Sequence, residues 1–219
     1  MYALVESGSI TKYFNNSKGF ILGDVQYSSD IFMKWSVAEK EAIGIHEVVY
    51  DNSNKKDENW YINTNQTFAF ANGVVTASYG TATAKTHANV LYTQDDVNED
   101  VYLAGHKNAG DRINSFSVGD VRTKGLKHIL IKNLKSNVAN ELAKTDWYIT
   151  RNFEKSISIP SAISTHRDLV RTTQASIEAQ ITGAADTAAL ETLHTYVNTG
   201  TKANPVYEKP LGELPVLES

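Results

Sequence analysis

Residues 142–181, LAKTDWYITRNFEKSISIPSAISTHRDLVRTTQASIEAQI, decide the organisation of the second half of the chain. After Pro160 the apolar residues recur every three or four positions, which lays a single stripe along a helix. The stripe consists of Ile163, Val170, Thr173, Ile177 and Ile181, with His166 filling the register. This pattern predicts a packing face and not an active site.

Helices are predicted on both sides of the stripe. A helix of about five turns is predicted to begin at Leu126 and to stop near Lys144, with the apolar residues Leu126, Ile129, Leu130, Leu134, Val138 and Leu142. Thr145, Asp146 and Trp147 then predict a polar turn, anchored on the helix pair by Trp147, Tyr148 and Ile149. Ser158 or Ser161 is expected to cap the stripe helix, and Gly183 to end it. Asp186 is expected to cap a third helix that carries Leu190, Leu193 and Val197 and closes at Gly200.

The first 85 residues follow strand patterns instead. Residues 2–14 predict a strand or hairpin with its turn at Gly8-Ser9, and Asn72-Gly73 is the clearest hairpin signal in the chain. Ser36 and Glu39 have the spacing of a capping box, which predicts one short helix ending at Gly44. Residues 45–50 are expected to form a strand, and residues 51–59 a loop.

These patterns predict an α+β fold, with a small antiparallel β-rich N-terminal domain followed by an α-helical C-terminal region. The predicted divisions are a β-rich docking domain at 1–85, an irregular connector with one or two short strands at 86–121, a helical oligomerisation and packing region at 122–200 and a C-terminal arm at 201–219. The arm holds three prolines in 19 residues. It is expected to be either disordered or an extended segment laid on a partner, and its apolar residues favour the second.

Composition excludes several classes of protein. The 219 residues contain no cysteine, so disulfides, zinc-thiolate sites and thiol nucleophiles are excluded. The start of the chain has no basic segment followed by an apolar run, and 18 consecutive apolar residues occur nowhere, so neither a leader nor membrane insertion is expected. A net charge of −4 gives no electrostatic footprint for nucleic acid.

No catalytic, cofactor-binding or metal-binding residue is predicted. The acidic run at 95–100 lacks the ligand spacing of an EF-hand and is expected to be a solvated loop. The six histidines, at 46, 87, 106, 128, 166 and 194, never form a close metal pair. The glycines at 105, 110, 119 and 125 match no phosphate-binding motif, and Asp146 has no second carboxylate nearby in the sequence for acid-base chemistry. We therefore expect no cofactor and no enzymatic activity.

Two weaker patterns leave alternatives open. Trp60, Tyr61 and Tyr79 would suit a sugar-binding surface if they were exposed, although such residues more often form the apolar face of a sheet. Cations outnumber acids between residues 122 and 182. They are expected to form the solvated side of amphipathic helices or to meet an acidic partner surface, since they lack interleaved aromatic residues and a nucleic-acid motif.

The helix-pair segment resembles a known family. The residues that carry the resemblance are Leu142, Ala143, Thr145, Asp146, Trp147, Tyr148, Arg151, Glu154, Ile159, Pro160, Arg167, Val170, Arg171 and Glu178. Their pattern is similar to a segment of tail-associated structural proteins and tail-fibre assembly proteins of bacteriophages, notably marine and cyanobacterial ones. The opening residues, residues 35–48 and the hairpin at Asn72-Gly73 also look like the β-rich module of such proteins, whereas residues 92–121 and the C-terminal arm do not match.

The resemblance implies a non-enzymatic structural component of a phage tail, a baseplate or tail-fibre adaptor or hinge that joins other virion proteins. The alternative it leaves open is a tail-fibre assembly chaperone that is not retained in the virion. The expected location is the virion tail, with assembly in the host cytoplasm. Because the stripe and the arm need a covering surface and fibres are commonly threefold, a homo-oligomer is expected, a trimer bundled through residues 126–181.

Overall fold

The computed structural model describes residues 1–15, 18–103 and 116–217, and of residues 99–103 it describes the backbone alone. The chain divides into two compact units, Met1–Thr83 and Ala84–Ser219. The first consists mainly of β-strands, and the second has α-helices as its main elements. The predicted α+β class is therefore confirmed.

The first unit is a five-stranded sheet with a covering layer. Its elements in chain order are β1 (Tyr2–Glu6), β2 (Ser9–Phe14), β3 (Phe20–Leu22), β4 (Val25–Tyr27), α1 (Ile31–Lys34), α2 (Val37–Glu41), β5 (Ile45–Asp51), β6 (Tyr61–Ile62), β7 (Thr67–Ala71) and β8 (Val74–Ser78), with β9 (Thr83–Ala84) at the boundary. The strand order of the sheet is β2-β1-β5-β8-β7, and β3 and β4 form a separate hairpin.

One ladder of this sheet departs from the predicted antiparallel arrangement. β5 and β8 are parallel, with Val48 opposite Val75, whereas β1–β2, β1–β5 and β7–β8 are antiparallel. A direct pairing of β7 with β5 would have been antiparallel. Because the second strand of the β7–β8 hairpin lies between them, the ladder next to β5 is parallel. Strand periodicity does not reveal which strand of a hairpin will occupy the inner position.

Local signals set the turns and the short helices. Asn72 and Gly73 both have positive φ, 52° and 79°, as a two-residue hairpin turn requires, so this prediction is confirmed. The first hairpin turns one residue earlier than predicted, at Ser7 and Gly8, which also have positive φ. The capping box at Ser36 begins α2 as predicted. The sequence did not indicate α1, a single turn without a side-chain cap.

The two faces of the sheet bury different side chains, because neighbouring residues of a strand point in opposite directions. One face packs against α1 and the β3–β4 hairpin through the buried cluster Leu4, Phe14, Phe20, Ile31, Phe32 and Ile45. The other face has a centre of small residues, Ala3, Val48, Val75 and Ala77. Over this centre the sheet curls until β2 contacts β7, with the Tyr13 and Phe68 ring centroids 4.8 Å apart.

The elements of the second unit are β10 (Val90–Leu91), α3 (Gln94–Leu103), β11 (Val121–Thr123), α4 (Leu126–Ala143), α5 (Asp146–Lys155), α6 (Ser161–Gly183), α7 (Thr187–His194), β12 (Val197–Asn198) and β13 (Tyr207–Glu208). β10 pairs with β11, and β12 with β13. One or two short strands were predicted between residues 86 and 121; β10 lies in this range, and β11 begins at its last residue. The five-turn helix from Leu126 is also confirmed, as are the end of α6 at Gly183 and the Asp186 cap of α7.

The acidic run at 95–100 lies entirely within α3, where a solvated loop was expected. Thr93 and Asp96 form a reciprocal cap: the Asp96 amide donates to Thr93 Oγ1 at 3.2 Å, and the Thr93 amide donates to Asp96 Oδ2 at 2.9 Å. The hydrogen bonds that the Thr93 amide and hydroxyl donate to the Asp96 carboxylate hold the pKa of Asp96 below its usual range. This threonine-to-aspartate capping box begins α3, and it is the signal that the sequence analysis overlooked.

The predicted stripe of α6 is buried, with Ile163, Val170, Ile177 and Ile181 each at most 8 % exposed. The stripe is covered without a second copy of the chain, because α6 packs against α4 of the same unit. The stripe therefore no longer supports a trimer, which stays a prediction.

The C-terminal arm is extended, in agreement with the second expectation for it, and the surface that it contacts belongs to its own chain. The Leu211 amide donates to the Leu193 carbonyl at 3.0 Å, and the Leu211 side chain is buried. The Leu217 amide donates to Glu141 Oε1 at 3.3 Å. α7 ends at His194, six residues before the predicted Gly200, and Val197 lies in β12.

Candidate functional site

The segment Thr145-Asp146-Trp147 is the start of a helix and not the predicted turn. Thr145 interrupts the helical path between α4 and α5, with φ −119° and ψ 5°, and it is completely buried. Its Oγ1 donates to the carbonyl of Leu142 at 3.0 Å, so it caps the end of α4 and leaves the first amides of α5 without a side-chain cap. The sequence did not indicate α5 because this starting signal is missing.

A single arginine holds this interruption in place. Arg167 Nη1 lies 2.8 Å from the Leu142 carbonyl, 2.7 Å from Thr145 Oγ1 and 2.8 Å from Asp146 Oδ1. The guanidinium therefore binds the end of α4, the residue between the helices and the first residue of α5. Arg167 is only 8 % exposed, so its charge is compensated mainly by these three oxygens.

A second buried group joins α4 to α6 and to the C-terminal arm. The carboxylate of Glu141 lies 3.2 Å from His166 Nε2, and it also accepts hydrogen bonds from Lys144 Nζ and from the backbone amide of Leu217. The Lys144 hydrogen bond holds the pKa of Glu141 below its usual range. Burial acts in the opposite direction, and the amide of Leu217, the charge of Lys144 and the His166 contact add to the lowering.

We call Glu141, Thr145, Asp146, His166 and Arg167 the junction. A histidine beside a glutamate is a common pair in acid-base catalysis. Here both residues are less than one tenth exposed, and their polar atoms contact each other, Lys144 and the backbone of Leu217. The chemistry of the junction is therefore that of a structural clamp, which fixes where α5 leaves the α4–α6 pair.

α5 itself presents its side chains to solvent. None of them is buried, and the contact with Asp146 is made by an arginine of another helix. Ile149 and Phe153, four residues apart and so on one side of the helix, are 41 % and 89 % exposed. We call these two residues the α5 face. Trp147, predicted to anchor a turn, is instead 51 % exposed and lies under the guanidinium of Arg151, 5.7 Å from the ring centroid.

The far end of α5 is capped by its own residues. Ser156 adopts a left-handed conformation with φ 53°, and its amide donates to the Asn152 carbonyl. The Asn152 side chain donates to the carbonyl of Ile157 at 2.9 Å. The junction thus sets where α5 begins, the cap ends the helix, and α5 presents an exposed apolar side.

The remaining sequence candidates gain no chemical role. Trp60 and Tyr61 are 8 % and 6 % exposed, so they do not form a sugar-binding surface. Gly125 has no room for a side chain, since a Cβ would lie 2.1 Å from the carbonyl oxygen of Ala88. Residues 105, 106 and 110 lie outside the described residues. Within the described residues, no group of three histidines or carboxylates is arranged to hold a metal ion.

Comparison of the chain with protein-family models, with curated proteins and with solved structures found no significant match. In the described part of the chain, no helix combines the length and the hydrophobicity that crossing a membrane requires.

Proposed function

We propose that this chain is a non-enzymatic structural component of a phage tail, an adaptor at the baseplate or tail fibre that binds a neighbouring virion protein through α5. The observation that carries the proposal is the α5 face, where Phe153 is 89 % exposed on a helix whose start is held by Arg167. The resemblance of the segment around Asp146 and Trp147 to tail-associated proteins supplies the biological setting.

The physical support comes from the cost of binding. A partner that binds a mobile segment must order it, at about 0.5–1.5 kcal/mol for each side chain immobilised. The contact of Arg167 with Asp146 has already fixed where α5 begins, and the Ser156 cap defines where the helix ends. An exposed aromatic residue on a rigid element is also the type of side chain that dominates protein interfaces. The α5 face is therefore suited to docking a preformed surface.

A homo-oligomer remains a proposal, but the α6 stripe no longer supports it and the exposed α5 face now does. The α6 stripe is covered by α4, so the exposed apolar residues available to a second copy include the α5 face. Sedimentation equilibrium of the purified chain tests this point. A single monomeric species at about 100 μM, well above a micromolar dissociation constant, would contradict it.

Mass spectrometry of purified phage particles tests the proposed function. We expect to find the protein in intact particles. Its copy number per particle, calibrated against the major capsid protein, should be a small symmetric multiple. Particles assembled with Phe153→Ser are expected to lack the protein or its neighbour, whereas Phe70→Tyr is a control within the first unit. Absence of the wild-type chain from particles, with normal expression during infection, would refute the structural role and favour the assembly chaperone.

A further inference from the structure

One side of α4 is unusually cationic. Residues 121–140 contain five lysines and arginines and no carboxylate, in a chain whose net charge is −4. Three of the five, Lys127, Lys132 and Lys135, line the same groove. The outermost two, Lys127 and Lys135, are eight positions apart on one helix, which corresponds to about 12 Å along its axis.

The groove has an apolar lining between these lysines. Its volume is about 530 Å³, and it lies between α4, the segment at Ala88 and Asn89, and Thr182 near the end of α6. Ile131 contributes an apolar side chain to the wall on α4. A volume of this size accommodates two or three side chains of a bound segment, within the usual range of binding pockets.

The three lysines are not equivalent. Lys127 Nζ donates to the carbonyl of Thr182 at 2.7 Å, and Lys135 Nζ lies 3.0 Å from Glu178 Oε1. These two contacts hold the ends of the groove against α6. Lys132, between them, is exposed and has no ion pair among the described residues. The groove therefore keeps a net positive charge after its internal pairing, with its unpaired cation next to Ile131.

We propose that this groove binds an acidic segment of a partner protein, with a carboxylate on Lys132 and an adjacent apolar side chain on Ile131. Charge complementarity selects the sign of the occupant, and the apolar lining selects a peptide over a polyanion. A nucleic acid would need several stacking surfaces, and the groove lining contains no Phe, Tyr or Trp, its one ring being the imidazole of His128. That the occupant is a protein rests on the proposed adaptor function. The groove would then provide a contact separate from the α5 face.

Fluorescence anisotropy with two labelled peptides tests the proposal on the purified full chain. The probes are LEELLEEL and LKKLLKKL, which share apolar positions and differ in the sign of their charge. We expect the acidic peptide to bind, with an affinity that falls as salt rises, and the basic peptide to bind at least about tenfold more weakly.

Groove variants locate the site. Lys132→Glu is expected to weaken the acidic peptide about tenfold, because an attraction becomes a repulsion, and Lys132→Met to weaken it by less. Lys202→Glu, the same charge change at an exposed residue outside the groove, should change the affinity less than about twofold. No binding of the acidic peptide at about 1 mM, equal binding of the basic one, or an unchanged affinity in Lys132→Glu would each overturn the proposal. Because the assay uses no particles, its failure is distinct from a failure of the adaptor function.

Discussion

Replacing Arg167 by methionine removes the guanidinium from the junction and keeps most of the volume of the side chain. The completely buried hydroxyl of Thr145 and the partly buried Leu142 carbonyl, which keeps that hydroxyl as a donor, would each lose a charged donor, at about 1–3 kcal/mol each. The ion pair with Asp146 adds less than about 1 kcal/mol, because that carboxylate is 60 % exposed and water screens it. We expect a total loss of about 3–5 kcal/mol in the free energy of unfolding of the second unit.

Arg171→Met is the matched control. Arg171 lies one turn further along α6, and its side chain is 51 % exposed and pairs with Asp168 at a distance of 3.4 Å. The same substitution there should cost less than about 0.5 kcal/mol. Urea titration followed by circular dichroism at 222 nm reports mainly on the helices and so on the second unit. A loss below about 1 kcal/mol for Arg167→Met, or a loss equal to that of the control, would refute the clamp role of Arg167.

Three further outcomes are expected. The folded chain lowers the pKa of Glu141 below its ordinary 4.5, so the ionised carboxylate stabilises the fold above pH 4.5. This contribution is lost as the pH falls through the pKa of the folded state. The urea midpoint should therefore fall less steeply between pH 7 and pH 3 in Glu141→Gln than in the wild type. Gly44→Ala should lower the free energy of unfolding of the first unit by about 2 kcal/mol or more, and its melting temperature by several degrees. The reason is that Gly44 has φ 78° and that a Cβ would lie 2.6 Å from the carbonyl oxygen of Val5. An unchanged melting curve would contradict this. Phe153→Ser should leave the urea midpoint within about 0.5 kcal/mol of wild type, since the side chain is almost fully exposed; a larger loss would mean that Phe153 packs within the fold.

The elements that the sequence predicted correctly carry their signals within a few residues. Ser36 and Glu39 cap α2 across three positions, and Asn72-Gly73 specifies its turn by the φ angles that both residues tolerate. The α6 stripe needs only the helical period. In each case neighbouring residues contain all the physical information that the prediction used.

The elements that the sequence analysis missed depend mainly on distant partners. α5 begins where Arg167, 21 residues after Asp146, binds the first turn. The covering of the stripe by α4, the position of the arm and the parallel pairing of β5 with β8 are likewise contacts between separated segments. Periodicity predicts that a face will be buried, but it does not indicate which element will cover that face. Of the junction, the resemblance contained only Thr145, Asp146 and Arg167, and nothing in the sequence indicated that they meet Glu141 and His166.

The curl of the five-stranded sheet also bears on self-association. An edge strand exposes unpaired amides and carbonyls, which can recruit a strand from another molecule. In an open sheet β2 and β7 would present two such edges on opposite sides. Here the Tyr13 and Phe68 rings bring these strands together, so that each edge obstructs access to the other. The shape of the sheet thus protects this unit from strand addition, whereas many other sheets are protected by charged residues or proline at their edges.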